Sequence, residues 1–313
     1  MTAAPIPIYT HPSTPATPPR SVHNSRSALA AQRATAARAS LSHCQLCAHL
    51  CNADRTAFAS AQRGTNRALC HAGPSARVFS AQTEVSDELA IIPTYAIALS
   101  GCDLRCDFCI TGRESWNPLA GAPFDAPDLA RRATAALNHS PPARTIMILG
   151  GEPTIHLPDI LDLVAHLPDD TPLVWKTNGR ASPLARAWLA NLFDTWIVDY
   201  KFGNDACAAR LAASPPGYTA TLRDNLLRAC PRFSTTPPLI VRHLLMPGHV
   251  ECCWRPIATW LSAHLPGVPV SLRTGFWPAW QSRRHPELTR TCNAHETALA
   301  RDIAREHQLV LAE

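Results

Sequence analysis

Thr94-Tyr-Ala-Ile-Ala-Leu-Ser100, running straight into Gly101-Cys102-Asp-Leu-Arg-Cys106-Asp-Phe-Cys109, is the stretch on which the fold turns. Its first part is an apolar run of strand length, the pattern of a strand buried on both faces. Its second part sets three cysteines, spaced C-x3-C-x2-C, directly past the strand end. Working outward, the same grammar repeats. Apolar runs at 145–149, 172–176, 196–200, 239–245 and 268–273 alternate with amphipathic stretches at 127–138, 157–167, 183–192, 220–229 and 256–265. Repeated β-then-α units predict a parallel sheet with right-handed crossovers. Six units rather than eight predict an α/β fold in the form of an open, partial (β/α)6 TIM-like barrel.

In such a barrel the functional groups gather at the carboxyl ends of the strands, where the loops are free to vary. Four polar motifs fall there: the cysteine triplet, Gly150-Gly151-Glu152-Pro153, Lys176-Thr177-Asn178-Gly179 and Asp199-Tyr200-Lys201. Asp199 and Lys201 are two apart on a strand and so share a face.

The 313 residues, 46% hydrophobic, suffice for one substantial core and a small appended module. No run of eighteen apolar residues occurs, which predicts a soluble protein without a membrane span. Prolines break the first twenty residues and no apolar h-region is present, which argues against a secretory signal. Twelve cysteines without an export signal then point to metal or cluster ligation in a reducing cytoplasm rather than to disulfides. The formal charge of +5 is modest, no acidic residue precedes Asp54, and no basic stripe with interleaved aromatics argues for nucleic acid. Arginine supplies 27 of the 29 basic residues; the two lysines are Lys176 and Lys201.

Four regions are expected. Residues 1–43, rich in Ala, Ser, Thr, Pro and Arg, read as a disordered arm with a short helix over about 27–41. Residues 44–85 carry Cys44, Cys47, Cys51 and Cys70 in the pattern C-x2-C-x3-C-x18-C and read as a metal-binding module. The barrel spans 86–280. A helical extension occupies 281–313, with one amphipathic helix at 293–307 and a short apolar 309–311.

The triplet has three readings: an open [4Fe–4S] site, a zinc site short of one ligand, or three buried thiols. Structural zinc wants four closed ligands, and the next donor, His139, lies across a predicted helix. The amino-terminal four cysteines, with His43, His49 and His71 nearby, suit a second [4Fe–4S] cluster or a zinc ion. Cys207, Cys230, Cys252, Cys253 and Cys292 show no repeated ligand spacing and read as incidental thiols.

Together, the triplet with Phe108 before its last cysteine and the Gly150–Pro153 motif resemble the radical S-adenosylmethionine (SAM) superfamily. The resemblance implies a [4Fe–4S] cluster on Cys102, Cys106 and Cys109, with SAM on the fourth iron. It implies that Gly150, Gly151 and Glu152 meet the SAM amino group and that Phe108 packs at the adenosine. Cys44–Cys70, Gly101–Cys109, Gly150–Pro153, Thr177–Gly179, Val198–Lys201 and Ile240–Gly248 further resemble pyruvate formate-lyase activating enzyme and related uncharacterised iron–sulfur proteins. That likeness places Thr177, Asn178, Asp199 and Lys201 near the SAM methionyl group and gives Arg242 a SAM contact.

Two departures stand out. Lys176 occupies the position of a cation-binding Asp in the activating enzymes, so its ammonium is expected to replace the cation beside Asp199 and the SAM carboxylate. A histidine that those enzymes often carry near 273–278 is missing here, where Phe276, Trp277 and Trp280 are expected either to line a substrate mouth or to pack against the final helix. The activity implied is reductive SAM cleavage to a 5′-deoxyadenosyl radical that takes hydrogen from a substrate, with activation of a glycyl-radical enzyme as the best-known form. The partners implied are a low-potential donor of flavodoxin or ferredoxin type and a protein substrate. The alternatives are modification of a peptide or natural product, and a non-catalytic iron–sulfur redox sensor.

Overall fold

The structure, a computed structural model, describes residues 25–58, 68–229, 232 and 237–312. Its centre is one sheet of nine strands: β1 (Arg77–Glu84), β2 (Thr94–Leu99), β3 (Ala122–Pro123), β4 (Thr145–Gly150), β5 (Leu173–Thr177), β6 (Thr195–Asp199), β7 (Leu239–Leu244), β8 (Pro269–Arg273) and β9 (Val310–Leu311). The order is β3-β1-β2-β4-β5-β6-β7-β8-β9. From β2 to β9 every neighbouring pair is parallel, whereas β1 runs antiparallel to both β2 and β3. The six runs read from the sequence are thus β2 and β4 to β8, in chain order, as the partial barrel requires.

Each parallel strand feeds its side chains alternately to two cores. Ile97, Ile146, Ile148, Leu173, Trp175, Trp196, Val198 and Val241 join the helix-covered outer core. Ala96, Met147, Val174, Ile197 and Ile240 form a smaller cluster on the concave face. Two residues beyond the last three of these come Lys176, Asp199 and Arg242. The concave face therefore changes from apolar to charged toward the strand ends.

The helices on the outer face are α3 (Ala126–Asn138), α4 (Leu157–Ala165), α5 (Pro183–Leu189), α7 (Tyr218–Leu227) and α8 (Arg255–His264), with α2 (Gly112–Trp116) after the cysteine triplet and α6 (Asp205–Ala212) before α7. Local signals start several of them: Asp125, Ser182 and Asn204 each accept an N-cap hydrogen bond, and proline stands in the first turn of α3 and α5. α6 and β1 were not legible as elements in the sequence.

The disordered-arm reading is corrected for residues 25–43; residues 1–24 lie outside the described residues. α1 (Arg26–Ala39) is capped by Ser25 and lays Ala30, Ala34 and Ala37 against α4. Arg26 is buried and donates to Asp194 and to the carbonyls of Leu192, Asp169 and Thr171, while Arg38 pairs with Asp159 and Asp162. Alanine-rich composition looks like a linker, but here its small side chains permit close helix packing and arginine supplies the polar anchors. The module boundary shifts as well, because residues 77–84 belong to the sheet as β1.

At the carboxyl end, α9 (Ala294–Glu306) opens on a capping box between Asn293 and Glu296. Glu296 also accepts from Arg290 at 2.7 and 2.9 Å and from the backbone N–H of Gly248 at 2.7 Å. The bond from Arg290 leads the causes that hold its carboxyl down, to about 2 against an ordinary 4.5. A carboxyl with a depressed folded pKa stabilises above its unfolded value and loses that stabilisation as pH falls through the folded one. Glu296→Ala is expected to cost about 2 kcal/mol at pH 7, and the gap to wild type should narrow below pH 4.5. Denaturant melts at pH 7 and pH 3 check this.

Candidate functional site

The cysteine triplet lies in the loop between β2 and α2, and its approach to β4 depends on glycine. A Cβ on Gly151 would sit 1.9 Å from the carbonyl oxygen of Gly101, and one on Gly150, at φ +141°, would sit 2.2 Å from the backbone of Leu99. The paired glycines thus let the end of β4 press against the backbone that launches the cysteines. Gly151 N–H donates to Leu99 and Glu152 N–H to Gly101.

Cys102 and Cys106 are buried and Cys109 is partly exposed. Burial, then the charge of Asp103, pushes the Cys102 thiol well up, and donor groups reach two of the sulfurs. Leu104 N–H points at Cys102 Sγ at 3.3 Å, and the hydroxyls of Thr111 and Ser115 lie 3.5 Å from Cys109 Sγ. Burial pushes the Cys106 thiol up to about 12, and the Lys201 ammonium is the leading opposing influence. Ligation to iron would remove that proton and leave Lys201 facing a thiolate. Three thiols, with N–H and O–H donors and one ammonium around them, fit a [4Fe–4S] cluster with a free iron.

The expected cofactor-binding residues separate into two hydrogen-bonded groups. Beside Cys102, Glu152 is fully buried and accepts from Thr154, from Thr177 Oγ1 at 2.7 Å and from Asn178 N–H at 2.7 Å. Burial, then the charge of Asp103, pushes its carboxyl up to about 7. Asn178 Nδ2 donates to Asp103 Oδ1 at 2.6 Å, and Asp103 faces Arg180 at 3.5 Å. Glu152, Thr177 and Asn178 therefore tie β4, β5 and the cysteine loop together.

Beside Cys106, on the concave face, lie Lys176, Asp199, Lys201 and Arg242. Lys201 pairs with Asp199, and Arg242 stands 3.9 Å from the same carboxylate. Asp199 is held at about 2: burial opposes this, and Lys201 leads the charges that outweigh it. Lys176 donates instead to Asp87 at 2.5 Å and lies 3.9 Å from Glu88. The cation nearest Asp199 is therefore Lys201, and the partner of Lys176 comes from a segment that carries no local signal. Residues 85–93, between β1 and β2, run along the concave face: Ile91 joins its apolar cluster, and Glu88 meets Ser271 and Arg273 at 3.0 Å and Arg242 at 3.5 Å. Glu88 Oε2 and Arg273 Nε are buried there without a hydrogen-bond partner.

Phe108 is buried and packs against Phe202 and Phe276, with ring centroids 6.0 and 6.2 Å away. Trp280 packs on Trp116, whereas Trp277 is largely exposed.

The amino-terminal cysteines fold against the same loop. Cys44 bridges to Ala53 and Cys47 to Ala181 in isolated strand pairs, and His49 Nε2 is 2.7 Å from the Asp103 carbonyl. Cys47, Cys70 and Cys51 cluster around Ala53, Ala68 and Ala72. Arg55, fully buried, donates to Cys44 Sγ at 3.4 Å and to the carbonyls of Ala72 and Gly73. Burial pulls its pKa down, yet Cys70, Cys44 and Cys47 raise it on balance. A guanidinium among thiols fits a centre that carries negative charge, which four thiolates on a metal provide.

Among the described residues, one group of four metal-ligating atoms lies within 4.8 Å: Cys207, His249, Cys252 and Cys253. Three of the cysteines read as incidental are thus neighbours, brought together by segments 42 or more positions apart. Cys292 fits the incidental reading, with its thiol 3.3 Å from the Leu245 carbonyl, and Cys230 lies outside the described residues.

No helix among the described residues is long and apolar enough to cross a membrane. A family model described as the radical SAM superfamily matches residues 97–261. An uncharacterized protein of Methanocaldococcus jannaschii is 25% identical over 280 residues, which are 86% of this chain and 76% of that one. The 7-carboxy-7-deazaguanine synthase of Methanothermobacter thermautotrophicus is 36% identical over 105 residues, 34% of this chain and 40% of the relative. Among solved structures, Streptococcus suis SuiB bound to S-adenosylmethionine aligns with a TM-score of 0.45 and 15% identity, over 67% of this chain and 47% of SuiB. A radical SAM methyltransferase from Sphaerobacter thermophilus aligns with a TM-score of 0.48 and 18% identity, over 69% of this chain and 64% of its own.

Proposed function

Because the chain belongs to the radical SAM superfamily, we propose that it cleaves SAM reductively and directs the resulting radical to a substrate C–H bond at the rim of the sheet. When bound, the [4Fe–4S] cluster supplies one electron to SAM, whose S–C5′ bond breaks to give methionine and the 5′-deoxyadenosyl radical. The observation that carries this reading is the position of Cys106, next to the Lys201–Asp199 pair at the polar end of the concave face.

The protein's own groups there suit the methionyl end of SAM. Lys176, Lys201, Arg242 and Arg273 are four cations against the three carboxylates of Asp87, Glu88 and Asp199, which leaves one positive charge in excess for a ligand carboxylate. Glu88 Oε2 and Arg273 Nε have unused hydrogen-bonding capacity on that face. On the other side, Glu152, Thr177, Asn178 and Asp103 hold the loop still, so that the open iron and the bound SAM meet in one geometry. Phe108, Phe202 and Phe276 form an apolar wall that excludes water from a reactive radical.

Activation of a partner protein is the finer reading, and exposed apolar surface supports it. Ile110, next to Cys109, and Trp277 are 81% and 69% exposed, apolar groups available to a protein substrate. A reducing cytoplasm and a low-potential flavodoxin- or ferredoxin-type donor follow from the same chemistry. The decisive experiment is anaerobic reconstitution of the full chain, followed by dithionite and SAM, with 5′-deoxyadenosine read by mass spectrometry. Its formation supports the enzyme; an intact cluster that yields none would leave a redox sensor as the better description.

A further inference from the structure

Cys207 lies in the first turn of α6, while His249, Cys252 and Cys253 flank and enter a π-helical turn, Val250–Trp254, that follows β7. Such turns recur at functional sites because they rotate side chains out of α-helical register. Here the turn aims three donors at α6. His249 Nδ1 is 3.6 Å from Cys207 Sγ, 3.2 Å from Cys252 Sγ and 3.7 Å from Cys253 Sγ. Cys252 Sγ is 3.9 Å from both Cys207 Sγ and Cys253 Sγ.

We propose that these four residues hold one zinc ion, as a Cys3His centre distinct from the cluster cysteines. A tetrahedral ion with Zn–S of about 2.3 Å and Zn–N of about 2.0–2.1 Å separates its ligands by about 3.8 Å (S to S) and about 3.6 Å (S to N). The five separations above match these edges to within a few tenths of an ångström. A [4Fe–4S] cube would seat each ligand on a different iron and spread the sulfurs further apart. Soft thiolates with one imidazole select zinc among the common divalent ions.

The surroundings are those of a built site. Asn204, the N-cap of α6, donates to Cys207 Sγ at 3.3 Å and to the Cys252 carbonyl at 2.7 Å, joining the two segments. Gly203 makes the approach feasible, since a Cβ there would lie 2.3 Å from the Cys253 carbonyl oxygen. The far nitrogen of the imidazole, His249 Nε2, lies 3.3 Å from Arg210 Nη2 and 3.5 Å from Glu287 Oε1, and Glu287 pairs with the same Arg210 at 2.6 Å, so a carboxylate and a guanidinium stand in the outer shell of the histidine. Three of the four ligands are buried and Cys252 is exposed, which gives the ion an entry path. The position has a consequence for the cluster: the carbonyls of Leu211 and Ala212, at the other end of α6, accept from Asp107 and Arg105 of the cysteine loop. Zinc would thus fasten α6 to the turn after β7, while α6 keeps its own backbone bonds to the cluster loop.

The test is the metal content of the anaerobically purified full chain. Wild type, Cys252→Ser and Cys207→Ser are compared for zinc, iron and sulfide, and each variant is expected to lose about one zinc per chain with iron and sulfide unchanged. As a variant that leaves all four ligands in place, Glu287→Gln is expected to release zinc to a colorimetric chelator about 10- to 100-fold more readily than wild type. Equal zinc in wild type and both cysteine variants, or release from Glu287→Gln at the wild-type rate, overturns the proposal.

Discussion

Replacing Cys102, Cys106 and Cys109 together with alanine is expected to remove about four irons per chain and to reduce 5′-deoxyadenosine formation to the level of cluster-free protein. The loss should be total if, as proposed, these three thiols attach the cluster that passes the electron. The fold should survive it. Strand and helix residues make up most of the outer core, to which the loop adds Cys102, Leu104, Cys106 and Phe108, and Glu152, Thr177 and Asn178 hold one another without the thiols. The same preparation resolves the amino-terminal module, whose Cys44, Cys47, Cys51 and Cys70 are untouched: about four irons left would mark a second cluster there, and zinc with no iron a structural centre. Retention of SAM cleavage in the triple variant would remove the basis of the proposed function.

Asp103→Ala is expected to cost about 3–5 kcal/mol of stability. Asp103 and Arg180 are 0% and 2% exposed, and the pair is 3.5 Å apart. Removing the carboxylate strands a buried guanidinium, leaves Asn178 Nδ2 without its 2.6 Å acceptor, and loosens the residue that follows Cys102. Ser214 and the ring of Tyr218 stay near Arg180 and offset only part of this. Asp103→Asn keeps an acceptor for Asn178 and should lose less. Anaerobic denaturant unfolding, followed by circular dichroism, orders the three proteins. A midpoint for Asp103→Ala equal to that of wild type would contradict the assignment.

Local patterns explain which features were readable. The six parallel strands were legible because burial on both faces demands unbroken apolar runs, and the helices between them because prolines and capping residues mark their starts. β1 was not: it is half-exposed, and its partner β2 pairs with it from the far side of the 85–93 segment. α6 was missed because it is a two-turn helix within a Cys- and Ala-containing stretch of little periodicity. α1 was read as a short helix within an arm, and only its contact with α4 shows why an alanine-rich segment stays folded.

The site follows the same division. Spacing alone announced the triplet and the four amino-terminal cysteines, because ligands that are close in sequence must be close in space. Lys176 was expected beside Asp199, but it pairs with Asp87, 89 positions away and beyond the reach of any local pattern. Cys207 and the group from His249 to Cys253 were opaque for the same reason: no local spacing relates them, and only the crossing of α6 with a π-helical turn makes them neighbours.

By itself, then, the sequence determined the six parallel strands β2 and β4 to β8 and marked the cysteines expected to ligate iron, because both depend on local pattern. Tertiary structure alone decided how the charges pair. It placed Lys201 rather than Lys176 against Asp199, buried Asp103 against Arg180, brought Asp87 and Glu88 onto the concave face, and assembled the Cys3His group. The physical reason is that electrostatic and ligand partners are chosen by distance in space, which the chain sets only after its strands have found their register.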